Sequence, residues 1–555
     1  MFENPLRAMF PQFSGDKPVV YFDSAATSHK PQVVIDRIQQ FYRHENANVH
    51  RSSHTTAMQA TAQFEAVRQQ VQHFIGAKSH KEIIWTKGAT ESINLVAACL
   101  GAEQLKAGSE LLVSGLEHHA NLVPWQQVAQ RFELTLKVMP VNEQGILDLT
   151  QALNLINDNT ALVAIGQVSN AFGNINPIKP ILSKARSVGA LSLIDGAQAV
   201  SHLAVNVQEL GCDFYVFSGH KMYGPTGIGV LYGKQALLEQ LPPYQFGGEM
   251  IQHVTYAQSS FQPLPYKYEA GTPNIAGVIG LGAAVSFVQQ HRTVINQIEQ
   301  QLYQYLVKGL NKIAGLRLWG ESDNSVAVQS FTINGLSQQD IVILLNQQNI
   351  AIRAGHHCVM PLMQQLGIEG TLRVSLACYN TIEEIDYLLV ALQSAINQLK
   401  TEPSENNIKP IKLPPLSLSA EITLPFASQI KKVRGWDQVY RQIMLAGRDL
   451  PRLPTSLQSD DTAVYGCESQ VWLKCQLNEN VLSLQGDSPS KIVRGLLAII
   501  FEVLAGKTPQ QVVAFNMRDY LAELGLSTHL SESRGNGLMA VVEKIRQYCE
   551  QGLID

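Results

Sequence analysis

Four short apolar runs separated by helix-patterned stretches constrain the first 400 or so residues more than any other feature. They are 110–113 (ELLV), 161–165 (ALVAI), 191–194 (LSLI) and 214–217 (FYVF), with helical patterns such as 121–130 and 180–188 between them. Short runs that are mostly apolar, separated by helices, are strands of a sheet covered on both faces, which calls for a mostly parallel sheet. Ligands bind such sheets beyond the carboxyl ends of the strands. Polar residues stand near those ends: Glu117 and His118, Asn170, Asp195 and Ser218. The expected class is α/β, with a crevice built from several strand ends.

The rest of the chain is too long for that body alone. At ~100–200 residues per domain, 555 residues imply roughly three to five folding units. The segment 401–424 carries Pro403, Pro410, Pro414 and Pro415 and no aromatic residue, and reads as an extended spacer. A body of residues 1–400 and a smaller α+β domain of 425–555 follow from it. Hydrophobic residues make up 45% and charged residues 16%, which excludes global disorder. The net charge of -4 argues against a nucleic-acid partner. No apolar run reaches the ~20 residues of a membrane span, and 495–505 reads as a buried helix. Glu3 and the missing h-region argue against a secretory signal. Seven cysteines without a CxxC pair fit the reducing cytoplasm, the expected location.

The most specific segment is 217–233, FSGHKMYGPTGIGVLYG. A lysine just past an apolar strand, here Lys221, suits a Schiff base with an aldehyde cofactor, because a desolvated amine becomes nucleophilic. A lone lysine is more often a solvated surface residue. Asp195, in LIDGAQ at another strand end, tips the balance, since a buried carboxylate is the expected partner of the pyridinium of pyridoxal phosphate. Taken alone, Asp195 serves equally as a helix N-cap. In WTKGATESINLVAAC, Gly88, Ala89 and Thr90 open a helical pattern, a weak signal for a phosphate cradle that an ordinary capped helix also satisfies. His118 and His119 are either a helix-start pair or include one ring stacked on a planar cofactor; no third ligand follows at zinc spacing. In RAGHHCVMPLM, Cys358 follows Arg353 and two histidines, a setting in which a thiolate nucleophile is favoured, although most cysteines are simply buried. Arg373, in the strand-like TLRVSL, needs an anionic partner, and an amino-acid carboxylate supplies one.

The segments YFDSAAT, NVHRSSH, GATESIN, EHHANLVPW, DGAQ, SGHKMYGPTGIGVLYG, EAGTPN, RAGHHC and TLRVSLACYN, in that order, resemble the pyridoxal-phosphate-dependent cysteine desulfurases of the SufS/CsdA type over nearly all of residues 1–400. The resemblance implies a fold type I (aminotransferase-like) homodimer, with a large domain of about 16–285 and a small one of about 286–400 joined by the N-terminal segment. It implies Lys221 as the Schiff-base lysine, His118 stacked on the ring, Asp195 at the pyridinium and Gln198 at the cofactor hydroxyl. Thr90, Ser218 and His220 would hold the phosphate, with Thr272 from the other subunit. Asn170 and Arg373 would hold the carboxylate of L-cysteine, with Arg353 nearby, and Cys358 would take its sulfur as a persulfide, releasing L-alanine. Two departures stand out: Ala89 where a second threonine is frequent, which removes a phosphate hydrogen bond, and Val359 where alanine is common.

In the last domain, GCESQVWL, IVRGLLA and SRGNGL resemble sulfur acceptors of the SufE/CsdE type. On chemistry alone Cys467 is one more cysteine, with Cys475 in an alternating strand as its control. The resemblance implies that Cys467 receives the sulfur, with Arg494 and Arg534 as nearby cations of unassigned role. The expected whole is a desulfurase fused to its own acceptor, serving an iron–sulfur scaffold or a related recipient. Two rivals stand beside it: a selenocysteine lyase, and a C-terminal domain that only docks.

Overall fold

The chain enters through strand β1 (Val20–Tyr21) and then builds a seven-stranded sheet. Its strands are β2 (Ile83–Thr86), β3 (Glu110–Ser114), β4 (Thr135–Met139), β5 (Thr160–Gly166), β6 (Leu191–Asp195), β7 (Phe214–Ser218) and β8 (Gly229–Gly233). The computed structural model describes residues 4–551 apart from 16–17, 104, 321–323, 402–429, 431–435, 466–468 and 527–531. Strand order is β2-β8-β7-β6-β5-β3-β4. The pairs from β4 to β7 are parallel, and β8 runs antiparallel to both β2 and β7. All four expected strands are present. Every residue of β2, β7 and β8 is buried, as a sheet covered on both faces demands. Helices such as Ala89–Glu103, Val123–Arg131 and Ile178–Ser187 supply the cover, and Ile93, Val96, Trp125, Leu162 and Val216 share one core.

The chain leaves β3 for β4 on one side and returns to β5 on the other. That reversal places a crevice between the ends of β3 and β5, where a doubly wound sheet takes its ligand.

A hairpin, β9 (Ile251–Val254) with β10 (Ser259–Phe261), precedes the 36-residue helix Ile275–Leu310. That helix runs unbroken through 285–286, where the large and small domains were expected to part. Beyond it come β11 (Leu316–Trp319), β12 (Val328–Ile333), β13 (Ile350–Ala351), β14 (Arg353–Gly355) and β15 (Thr371–Ser375). β13 returns to pair with β1, and the other four form an antiparallel sheet in the order β11-β12-β15-β14.

The contacts divide the chain into two units, one of Met1–Asn334 with Asn349–Val390 and one of Gly335–Gln348 with Ala391–Asp555. The second holds the hairpin β16 (Trp472–Asn478) and β17 (Val481–Asp487) and the helices Trp436–Asp449, Lys491–Leu504 and Glu532–Gln551. The apolar run at 495–505 is the buried helix it was expected to be, and Cys475 sits in the hairpin. Helices Trp436–Asp449 and Lys491–Leu504 approach closely at Gly495, where a Cβ would lie 1.9 Å from the Ile443 carbonyl oxygen. Arg494 is buried and its Nε sits 3.1 Å from Asp487 Oδ1, an internal ion pair. Asp340 of helix Gln338–Gln347 accepts from Ser490 Oγ at 2.9 Å and the Lys491 amide at 3.0 Å. Thr401 ends the helix Ile382–Thr401, and the rest of the spacer, 402–424, lies outside the described residues, as do Cys467 and the side chain of Arg534. Among the described residues no helix is long and apolar enough to cross a membrane.

Candidate active site

Lys221, Asp195, His118, Asn170, Cys358 and Arg373 line one cavity of about 330 Å³ at the ends of the parallel strands. β7 stops at Ser218, and the single turn Gly219–Lys221 carries the lysine across the opening. No hydrogen bond or ion pair holds the Lys221 amine among the described residues. Burial pulls its pKa below the usual lysine range, and Asp195 opposes that pull. Burial raises the pKa of the Asp195 carboxyl. Its Oδ1 accepts from the Ala197 amide at 2.9 Å within a turn; no helix begins there, so the N-cap reading does not hold. Gln198 donates to the Ala25 carbonyl at 2.7 Å.

One end of the cavity is built to face an anion. The helix Ala89–Glu103 starts there, and Thr90, Ser218 and His220 line it. Ala89 contributes its backbone: its amide donates to Ser218 Oγ at 2.8 Å. A Cβ on Gly229 would stand 2.4 Å from Gly88 Cα, so β8 and the loop before the helix touch backbone to backbone. Thr272 is exposed and does not line the cavity of its own chain.

His118 closes a short turn, its Nδ1 accepting from the Ala120 amide at 3.0 Å. The proton of the neutral ring therefore sits on Nε2. Burial first, then Lys221, pushes its pKa down to about 4, so the ring is neutral near pH 7. His119 stays outside the cavity. Its amide donates to the Cys358 carbonyl at 2.8 Å, and its Nε2 accepts from the Met360 amide at 3.1 Å. Backbone amides satisfy both rings, as the helix-start reading expects, and of the two only His118 lines the cavity.

Cys358 is exposed, at φ +59°, directly after His357 at φ +51°. Two successive left-handed residues turn the loop outward, a conformation kept only when the flanks over-determine it. They do: His357 is buried, its Nε2 lies 2.8 Å from Thr371 Oγ1, its carbonyl accepts from Asn170 Nδ2 at 2.6 Å, and Val359 is buried. Burial pushes the Cys99, Cys212 and Cys475 thiols up to about 12, which leaves them inert near neutral pH.

Arg353 and Arg373 are register partners across β14 and β15. Arg373 is 3% exposed, and its Nη1 donates to the Asn170 carbonyl at 2.7 Å. Sequence reasoning missed Asp23, whose carboxylate accepts from both arginines, at 2.8 Å from Arg353 Nη2 and 3.1 Å from Arg373 Nη2. It left Glu117 without a role. That carboxyl is buried, takes hydrogen bonds from Ser114, Asn121 and the Gly166 amide, and is pushed up to about 7 by burial, with Asp195 adding to the effect. A carboxylate beside a small-residue turn, and one next to a histidine pair at a strand end, were the available signals.

The aminotransferase class-V family matches residues 20–388. The chain belongs to that family. The Fe–S metabolism associated domain, SufE, matches residues 425–549. A cysteine desulfurase of Synechococcus elongatus is 49% identical over 380 residues, covering 68% of this chain and 60% of that protein, so this chain spans less than two thirds of that relative. A cysteine desulfurase of Yersinia pestis is 48% identical over 393 residues, covering 70% of this chain and 97% of that one. Among solved structures, cysteine desulfurase CsdA of Escherichia coli in an S-sulfonic acid form superposes with a TM-score of 0.67 at 41% identity, covering 72% of this chain and 99% of that one. The apo cysteine desulfurase of Thermococcus onnurineus gives 0.69 at 36% identity over 72% of this chain and 99% of that one. Fold and family agree with the resemblance carried by the sequence motifs.

Proposed function

We propose that this chain converts L-cysteine to L-alanine, catches the sulfur as a persulfide on Cys358, and passes it to Cys467 of its own SufE-like domain. The observation that carries this reading is the gathering of Lys221, Asp195, Cys358 and Arg373 around one cavity. The donor set fits pyridoxal phosphate: a free amine of lowered pKa, a buried carboxylate, and hydroxyls at a helix start. Lys221 would hold the aldehyde, Asp195 the ring nitrogen, Gln198 the ring hydroxyl, and Thr90, Ser218 and His220 the phosphate. When bound, the cofactor supplies an electron sink that stabilises negative charge at the substrate α-carbon. Thr272, exposed and outside its own chain's cavity, serves the phosphate of a second copy in a homodimer.

The chain's own groups do the rest. Arg373, with Asn170 beside it, binds the substrate carboxylate and sets which face of the amino acid meets Lys221. Lys221, deprotonated more readily than a surface lysine, takes the α-proton and returns one. His118, neutral near pH 7, would stack on the ring. The Cys358 thiolate forms a bond to the substrate sulfur as the carbon–sulfur bond breaks. The bonding pair stays with the three-carbon fragment, which gains a proton and leaves as alanine. A thiol on Cys467 then attacks the outer sulfur of Cys358, and Cys358 leaves as thiolate. Residues 1–400 act as the desulfurase and 425–555 as the acceptor, joined by the spacer 401–424, in the cytoplasm, with iron–sulfur assembly as the destination.

The test is one turnover with sulfur-labelled L-cysteine. Alanine should appear in equal amount to protein-bound sulfur, and mass spectrometry should place that sulfur on Cys358 first and Cys467 later. Alanine without label on either cysteine would overturn the reading.

A further inference from the structure

Asp23 follows β1 and forms a backbone bridge with Ser375, two residues past Arg373 on β15. Its neighbours fix it there: the Phe22 amide donates to the Ala351 carbonyl at 2.8 Å, and the Ala25 amide to Ser375 Oγ at 3.0 Å. From that anchored position its carboxylate meets both guanidinium groups. Oδ1 accepts from Arg353 Nε at 3.0 Å and Arg373 Nη2 at 3.1 Å, and Oδ2 from Arg353 Nη2 at 2.8 Å. Two positive charges thus share one negative charge, leaving a surplus of one at the carboxylate end of the cavity.

Arg373 does not need Asp23 to hold its place. It sits on β15 between β12 and β14, it is 3% exposed, and its Nη1 is bound by the Asn170 carbonyl. What it lacks is a full set of acceptors: its buried Nε has no hydrogen-bond partner. Asp23 therefore covers the charge of a buried cation that would be costly to leave bare, and does so with a single bond of 3.1 Å. Its stronger grip is on Arg353, whose side chain is 47% exposed.

We propose that Asp23 is the resident counter-anion of the amino-acid site, a positioning residue that yields Arg373 Nη2 to the incoming α-carboxylate and reclaims it when alanine departs. The proposal rests on the reading that Arg373 receives the substrate carboxylate. Binding then exchanges one charge-assisted hydrogen bond for another, so that substrate and product are both held weakly and release is not slowed. Retained on Arg353 throughout, Asp23 also keeps the pocket's surplus at one charge, which selects a single carboxylate.

The experiment uses the cofactor-loaded full chain and titrates L-alanine, followed by the visible absorbance of the cofactor. Asp23→Asn should bind alanine about tenfold more tightly, the worth of one charge-assisted hydrogen bond no longer given up. Its KM for L-cysteine should fall in step and its kcat should fall, as release becomes slow. Asp23→Glu, which restores the charge, should return alanine affinity to within about twofold of the parent. A merely structural role predicts the opposite sign. An Asn variant with the parent's cofactor absorbance and melting midpoint but equal or weaker alanine binding would overturn the proposal while leaving the desulfurase reading intact. Should that variant fail to fold, a crystal structure of the parent with L-alanine decides. Loss of the Arg373–Asp23 contact supports the proposal, and an unchanged contact overturns it. A loaded parent enzyme that binds no alanine at all would overturn both the proposal and the function on which it rests.

Discussion

The amide of His119 donates to the carbonyl of Cys358 at 2.8 Å, and the link is reinforced where the Met360 amide donates to His119 Nε2 at 3.1 Å. The turn that carries His118 and the loop that carries the cysteine are thereby one rigid unit, although they belong to opposite halves of the first body. Replacing the imidazole removes one of the two tethers. His119→Ala should keep cofactor binding and slow persulfide formation by about tenfold, as expected when a reacting atom is displaced by a fraction of an ångström. Stopped-flow measurement of first-turnover sulfur on Cys358 checks this; an unchanged rate would remove His119 from the positioning of the loop.

Lys221 and Cys358 should separate cleanly. Lys221→Ala should lose the cofactor's visible band on dialysis and lose alanine formation. Cys358→Ala should keep the band, because its side chain is exposed at the mouth while the anion end and Asp195 are untouched. It should release no sulfur. Absorbance and alanine assays on the two variants distinguish them.

Glu117 should give the site a pH dependence near neutrality. Its folded pKa is raised to about 7 by burial, so the stability it contributes is fully present below the unfolded value near 4.3 and is lost as pH rises through 7. Ionisation also sets a second negative charge near Asp195, which strengthens proton binding at whatever faces Asp195. Glu117→Gln should therefore flatten the change in cofactor absorbance between pH 6 and 8. It should cost on the order of 1 kcal/mol, since one of its three donors then meets an amide N–H. A pH titration of the visible spectrum is the measurement.

His29 acts in the opposite direction. Burial, then the neighbouring Lys30, push its pKa down to about 4. A depressed histidine contributes stability that is present above its unfolded pKa near 6.5 and is lost as pH falls through 4. Its ring stands edge-on to Phe13 at 5.3 Å, and its Nε2 is buried without a partner. His29→Phe should match the parent at pH 7.5 and lose less on acidification to pH 4.5, by on the order of 1 kcal/mol after solvent screening. Thermal midpoints at the two pH values test it.

The fused acceptor should couple to turnover. Two groups joined by ~20 residues of chain meet at an effective concentration near the millimolar scale. Cys467→Ala should still load Cys358 once, then turn over slowly with a weak reductant. In the proposed homodimer, formed from mixed Cys358→Ala and Cys467→Ala chains, labelled sulfur on Cys467 of the Cys358→Ala chain would show delivery between subunits. Its absence would confine delivery to one chain.

What the sequence could show followed from how local each signal is. The runs at 110–113, 161–165, 191–194 and 214–217 are strands because a short, mostly apolar stretch between helices fits a covered sheet. Lys221 and Asp195 were legible because a strand end and a turn place them, within a few residues of chain. Asp23 was not, since its role exists only once β14 and β15 bring Arg353 and Arg373 to it. Arg68 shows the same limit. It sits in the helix Thr55–Phe74, where a charge normally marks the solvent face, yet it is 0% exposed, because Glu269 meets it through two bonds of 2.6 and 2.9 Å. Arg494 needed its fold too: only the hairpin β16–β17 delivers Asp487 to it.

The backbone contact between Gly229 and Gly88 also bears on how this protein can change over generations. A side chain at Gly229 meets main-chain atoms of Gly88 within 2.4 to 2.8 Å, so no substitution at a neighbouring side chain can make room for it. Position 229 is thus closed to stepwise innovation, although side chains beside it, such as that of residue 89, are not. The other end of the cavity differs, since Cys358 and Arg353 are exposed and end in side chains rather than backbone. New substrates would be explored there, by changes at the mouth, while Gly229 stays fixed against the Gly88 backbone.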